Sequence, residues 1–187
     1  LAPSFDTTTA AQQHLQTFLD GQGATRFCEI GQTTYGRGLV ATCDLEPGAM
    51  ALQIPLSCAL LETDPDKDED SWTGRLANRL LLQSQEESSV YAQSLPVPPS
   101  TPARGDWPEW MLQEFDHPEF LHEISQAQDW RYQQWERHCG SYEDRQAFLD
   151  ALDLVCSRTI RTGQDLMLVP LLDMANHASR PQGGGYY

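Results

Sequence analysis

The sequence predicts an α+β fold, a small sheet interrupted by a helical insertion, and three observations carry that expectation. Between about residues 26 and 62, short apolar runs are cut by Pro and Gly. From Trp72 to Val155, apolar residues recur at helical spacing. At Leu166-Met167-Leu168-Val169 the chain returns to a continuous apolar run, ended by Pro170. The order is β-rich, then helical, then β again, and no repeat of 20–50 residues points to a solenoid.

Residues 1–25 are rich in Thr and Gln, with a short helical candidate around Leu15, Phe18 and Leu19. Gly38-Leu39-Val40-Ala41-Thr42 reads as a strand. The Pro-Gly turn within Asp44–Gly48 joins it to a second strand, in which Met50, Leu52 and Ile54 alternate before Pro55. These two strands are expected to form a hairpin. Asp64–Asp70 sets five acids around Lys67 and reads as a solvated loop. The helical pattern opens at Trp72, with Leu76, Leu80 and Leu81 on one face, and a Pro-rich break follows from Leu95 to Pro102. Asp106 is placed to cap a helix carrying Trp107, Trp110 and Met111. Pro118 permits another start, with Phe120, Ile124 and Ala127 in phase and Trp130 and Trp135 beyond. Ser141 is expected to cap a last helix whose buried stripe is Phe148, Ala151, Leu152 and Val155.

Charge and length narrow the function. At 187 residues the chain has one domain's worth of sequence or slightly more, and 40% hydrophobic content is enough for a packed core. Acids outnumber basic residues 27 to 12, for a net charge of −15, and Lys67 is the one lysine. Such a polyanion repels nucleic acid and attracts basic protein segments. No apolar run approaches the roughly 18 residues of a membrane span, and no secretory leader pattern occurs. Cys28, Cys43, Cys58, Cys139 and Cys156 are odd in number and never form CxxC. We therefore expect reduced, mostly buried thiols in an intracellular protein, and no metal site.

Two segments can carry chemistry. In Tyr35-Gly36-Arg37-Gly38-Leu39-Val40-Ala41 two glycines let backbone approach a ligand closely, though an ordinary turn entering a strand uses the same residues. A dinucleotide fingerprint and a P-loop are both excluded by the spacing. In Leu168-Val169-Pro170-Leu171-Leu172-Asp173-Met174-Ala175-Asn176-His177 an Asp, an Asn and a His fall within five residues beside a buried strand. Polar groups so placed must be paired or solvated. A serine-hydrolase motif is missing, and the remaining histidines offer no metal-ligand spacing.

Taken together, the motifs resemble those of the SET-domain protein methyltransferases. The similarity is to the branch with a helical insertion, typified by Rubisco large-subunit lysine methyltransferase and the actin-histidine methyltransferase. YGRGLVAT with ALQIPLS is similar to the domain's opening, and YAQSLPVPPS with WPEWMLQEF to its insertion. FLDALDLVCSRTI and LVPLLDMANHA are similar to its two later motifs, all four in order over about residues 27–178. The resemblance implies a SET β-fold interrupted by a helical insertion and incomplete at the C-terminus. Its parts are a lead-in over 1–25, the N-terminal SET part over 26–62, the insertion over 63–157 and the start of the C-terminal part over 158–187.

The same resemblance implies S-adenosylmethionine as methyl donor, with Tyr35, Gly36, Arg37, Arg158, Asn176 and His177 around it. Arg158 would hold the cofactor's carboxylate, Asn176 its amino-acid end, and His177 would offer mainly backbone to the adenine. Arg158 and Asp173 would also face the substrate, although Arg158 could instead pair with Asp173 or a helix C-terminus. Ala178 and Ile160 replace the family's usual Ser and Phe. The family's catalytic tyrosine would lie beyond Tyr187, so no catalytic residue is assigned and this piece alone is expected to be inactive. The partner implied is a protein segment bearing lysine, or a histidine, with no nucleic acid and no membrane. The protein is expected to be a monomer in the cytoplasm, nucleus or plastid. The alternative is a SET-like module that has lost catalysis and binds basic protein segments.

Overall fold

In the computed structural model, residues 10–33, 36–63, 72–86, 89–96, 98, 101–105 and 107–176 are described. The chain divides into two compact units, one of Leu1–Ala59 with Leu168–Tyr187 and one of Leu60–Met167.

In the first unit the expected N-terminal helix is α1, Ala10–Gly21, and it buries Leu15 and Leu19 completely while Phe18 stays at the surface. Arg26 fastens this helix to the β-rich stretch: its Nε and one terminal nitrogen donate to the two carboxylate oxygens of Asp20, each at 2.8 Å. Its other terminal nitrogen reaches Gln16 Oε1 at 3.2 Å. The positive guanidinium holds the Asp20 carboxyl below its ordinary range, chiefly through that hydrogen bond.

The stretch contains four strands: β1 (Thr25–Arg26), β2 (Cys28–Thr33), β3 (Gly36–Ala41) and β4 (Leu52–Gln53). The expected hairpin between the strand at 38–42 and the run at 50–54 does not form. β3 pairs instead with β2, antiparallel from Cys28↔Ala41 to Thr33↔Gly36, and β4 pairs with β1 at Thr25↔Gln53. The reason is length, because β2 offers β3 six consecutive pairs whereas the 50–54 run has only two residues in strand. Phe27 stands at the junction: its N–H donates to Ala51 O (2.8 Å), and its carbonyl accepts from Thr42 N–H (2.9 Å). The Pro47-Gly48 turn itself does form. Gly48 has φ +84°, and Ala49 N–H donates to Glu46 O at 2.9 Å, as a type II turn requires. Met50 is exposed, so its alternation with Leu52 and Ile54 marks no buried stripe.

The second unit is mainly helical. Strand β5 (Leu60–Glu62) precedes α2 (Trp72–Ser84), which buries Leu76, Ala77, Leu80 and Leu81 as the periodicity requires. After α3 (Val90–Ser94) and α4 (Glu109–Gln113) come α5 (Pro118–His138) and α6 (Arg145–Arg158). All four residues of the expected α6 stripe are buried, and this face packs against α2. Pro118 is the first residue of α5, where its missing N–H costs nothing, and His117 caps that helix by accepting from Phe120 N–H. Strands β6 (Ile160–Thr162) and β7 (Asp165–Leu168) then form a hairpin, and β7 lies between β5 and β6 in a three-stranded sheet.

Two helix starts differ from expectation. Asp106 lies outside the described residues, and α4 begins only after Pro108, whose extended backbone (ψ 147°) leaves Trp107 outside the helix and Trp110 63% exposed. The cap position of α6 is Asp144, not Ser141, whose carbonyl is engaged by the Trp135 indole N–H at 3.1 Å. The acidic run Asp64–Asp70 also lies outside the described residues.

Charged groups at the inner face of α6 are paired. Arg104 spans Asp150 and Asp153 at 2.6 Å each, and Arg131 pairs with the other oxygen of Asp153. All five thiols are free, but only Cys28 is buried; Cys43 and Cys156 are exposed, so the expectation of mostly buried cysteines is corrected. Cys43 lies in the bend after β3, and Cys156 lies near the end of α6, next to the buried Val155 of the stripe. Among the described residues no helix is long and apolar enough to cross a membrane, and no His/Cys/Asp/Glu group has the arrangement of a metal site.

Candidate functional site

Within the first unit, the Thr33–Gly36 end of the β2–β3 hairpin meets the segment after β7. The meeting is made by side chains. Thr33, the last residue of β2, donates its hydroxyl proton to Gly36 O across the strand pair at 2.7 Å. The same hydroxyl oxygen accepts from Asn176 Nδ2 at 2.8 Å, a contact 143 residues apart in sequence. Amide, hydroxyl and carbonyl form a relay that fixes the Asn176 side chain on the hairpin.

Gly38 makes this possible. A Cβ on Gly38 would stand 2.8 Å from Asn176 Cγ and closer still to Nδ2, so the amide occupies the space a side chain would need. The close approach expected of the Gly-x-Gly pair therefore falls on the second glycine, and what approaches is a side chain of this chain. Gly36 serves otherwise: its φ of +93° needs a residue without Cβ, and the space above its Cα is open. Arg37 between them is exposed.

The segment carrying Asn176 is held under strain. Pro170 and Leu171 are fully buried, and Leu171 takes φ +66° and ψ −47°, a conformation L-residues rarely adopt, at a cost of about 1–3 kcal/mol. Burial of the Leu171 side chain offsets that cost. Two turn bonds add to it: Met174 N–H to Leu171 O at 2.9 Å and Asp173 N–H to Val169 O at 3.1 Å. The resulting 3₁₀ turn, Leu172–Met174, buries Met174, leaves Asp173 half-buried and delivers Asn176 to the hairpin.

Of the residues singled out from the sequence, Gly36, Arg37, Asp173 and Asn176 are thus in the first unit, with Asn176 bonded at the hairpin end. Tyr35 and His177 lie outside the described residues. Arg158 is in the second unit, the last residue of α6, where its cation suits the negative helix end. The sequence reading missed Thr33 and placed Gly38 in the close-approach motif without assigning it to the site. Gly38 was within reach, as a second glycine in a strand signals close approach; for Thr33 nothing local gives a sign.

The fold is SET-domain-like. Solved structures of Rubisco LSMT are among its structural likenesses. The SET domain of LSMT bound to methyllysine and AdoHcy matches with a TM-score of 0.71 at 22% identity, over 93% of this chain and 46% of that one. Rubisco LSMT bound to sinefungin and monomethyllysine matches at 0.70, and its AdoMet-bound form at 0.66, both at 22% identity over 92% of this chain. The chain spans 46% of the length of each of these structures. No protein-family model and no curated protein sequence matches the chain.

Proposed function

We propose that this chain is part of an S-adenosylmethionine-dependent protein methyltransferase acting on lysine, and that its first unit forms one wall of the cofactor site. The observation that carries the reading is the Asn176 side chain, fixed on the hairpin by Thr33 and Gly38 beside the open backbone of Gly36. The residues fit the cofactor. One N–H of Asn176 Nδ2 goes to Thr33, which leaves Oδ1 as an acceptor for an incoming ammonium group, and the open space at Gly36 leaves its backbone accessible to a ligand. The bound cofactor supplies an electrophilic methyl group on a sulfonium. The chain's part is to hold it in line with a deprotonated amine. Asp173 is assigned to the substrate side, and Tyr35, Arg37 and His177 to the cofactor, from their motif positions.

Arg158 is assigned to the cofactor's carboxylate from its place in the Ser-Arg-Thr motif. In the full-length protein, calorimetric titration of S-adenosylmethionine into Arg158→Ala is expected to show a loss of about 1.5–3 kcal/mol, the worth of a charged hydrogen bond. Unchanged affinity removes Arg158 from the site. Labelled cofactor with lysine-rich acceptor proteins tests the whole reading, and the absence of both methyl transfer and cofactor binding would end it. An intracellular location is part of the proposal, and the five free thiols support it.

A further inference from the structure

At the start of α5 the second unit exposes aromatic rings beside carboxylates. Phe115, 38% exposed, lies with its ring centroid 5.1 Å from that of Phe120 and 5.9 Å from that of Trp107. Phe115 and Phe120 wall an open groove of about 380 Å³, rimmed by Glu119 and Glu123, which stand one helical turn apart on the same face. His117 also lines it, with Nδ1 turned inward to cap the helix. No ion pair among the described residues engages either glutamate. From Gly105 to Trp130 the sequence holds seven acids and neither Lys nor Arg.

Here apolar ring faces and unneutralised carboxylates are left together at a surface, a combination suited to a cation on an aliphatic stem. The rings attract the charge through their π faces and cover the stem, and the carboxylates supply the counter-charge. Nucleic acid, anionic lipid and a second copy of this −15 chain are all repelled by the rim. We propose that this groove docks a basic segment of a protein partner, seating a Lys or Arg side chain on Phe115 and Phe120 between Glu119 and Glu123. The proposal deepens the reading above by naming where a basic substrate segment docks, and rests on it only for calling that segment a substrate.

The test is fluorescence polarisation with a labelled Gly-Lys repeat peptide and the full chain, at about 0.15 M ionic strength, where long-range attraction is screened. Glu119→Gln with Glu123→Gln is expected to weaken binding about five- to tenfold, and Phe115→Ala about threefold. Glu86→Gln with Glu143→Gln makes the same charge change at exposed positions outside the groove and is expected to shift affinity by less than about twofold. Circular dichroism melts confirm that each variant is folded. Equal weakening by both glutamine pairs, or none by the groove pair, overturns the proposal. Cofactor binding is measured on the same proteins. Its absence with groove binding intact counts against methyl transfer alone, and the converse counts against the groove alone.

Discussion

Replacing Gly38 by Ala isolates the contact on which the candidate site depends. Gly38 does not have a positive φ, so alanine suits the backbone there and on that ground alone would stabilise a strand by about 0.5–1 kcal/mol. The new Cβ would nevertheless stand 2.8 Å from Asn176 Cγ, where carbon atoms rest about 3.5–4 Å apart. Asn176 must therefore withdraw by about 1 Å, and its 2.8 Å bond to Thr33 cannot survive the movement. Losing that bond costs about 0.5–1.5 kcal/mol, and overpacking about 1–3 kcal/mol. After the backbone gain, the expected net loss is about 0.5–4 kcal/mol, a fall of several degrees in Tm for a chain of this size at mid-range. The assay is urea unfolding of wild type, Gly38→Ala, Asn176→Ala and the double variant. With Asn176 truncated the clash disappears, so the second alanine is expected to stabilise by up to about 0.5–1 kcal/mol, giving a coupling energy of at least about 1 kcal/mol. A Gly38→Ala protein as stable as wild type, or additive losses in the double variant, would refute the reasoning.

The same inversion of the usual glycine rule is expected in the second unit. In α2, a Cβ on Gly74 would meet Gln134 Oε1 at 2.6 Å and collide with the His138 ring, both on α5. Gly74→Ala should thus lose about 1–3 kcal/mol in a denaturant melt, although alanine normally favours a helix interior by about 1 kcal/mol. A more stable variant would show that α5 does not pack this closely on α2. The Asp20–Arg26 pair predicts an acid-side effect. Because Asp20's folded pKa is lowered, the unfolded chain binds more protons between that value and the ordinary carboxyl range. The pair's contribution is therefore complete above about pH 4 and lost as pH falls through the lowered pKa. Asp20→Asn should remove that part of the acid slope, and an unchanged slope in a pH series of melts would contradict it.

Helices were legible in the sequence because their signal is local. Phe148, Ala151, Leu152 and Val155 fall on one face by the 3.6-residue period alone, and all are buried. Helix starts were less so: Pro108 moved α4 beyond the Asp106 expected to cap it, and the Ser141 carbonyl was taken by Trp135. In the first unit the Pro47-Gly48 turn was readable from its two residues, but the strands it was expected to join chose other partners. Pairing is settled by which segment offers the longer ladder, and β2, with Glu, Gly and Gln in its run, carries little apolar alternation to announce itself.

By itself the sequence determined the α+β class, the helical stripes, the order of four motifs and the two segments that meet at the candidate site. Each depends on neighbours a few residues apart. Tertiary structure alone decided that Gly38 yields its space to Asn176 and that Thr33 binds it. It alone decided that Leu171 is held at positive φ in the segment that brings Asn176 there. A hydrogen bond across 143 residues and a strained backbone kept by burial leave no periodic trace, because their energy exists only once the distant segments are packed.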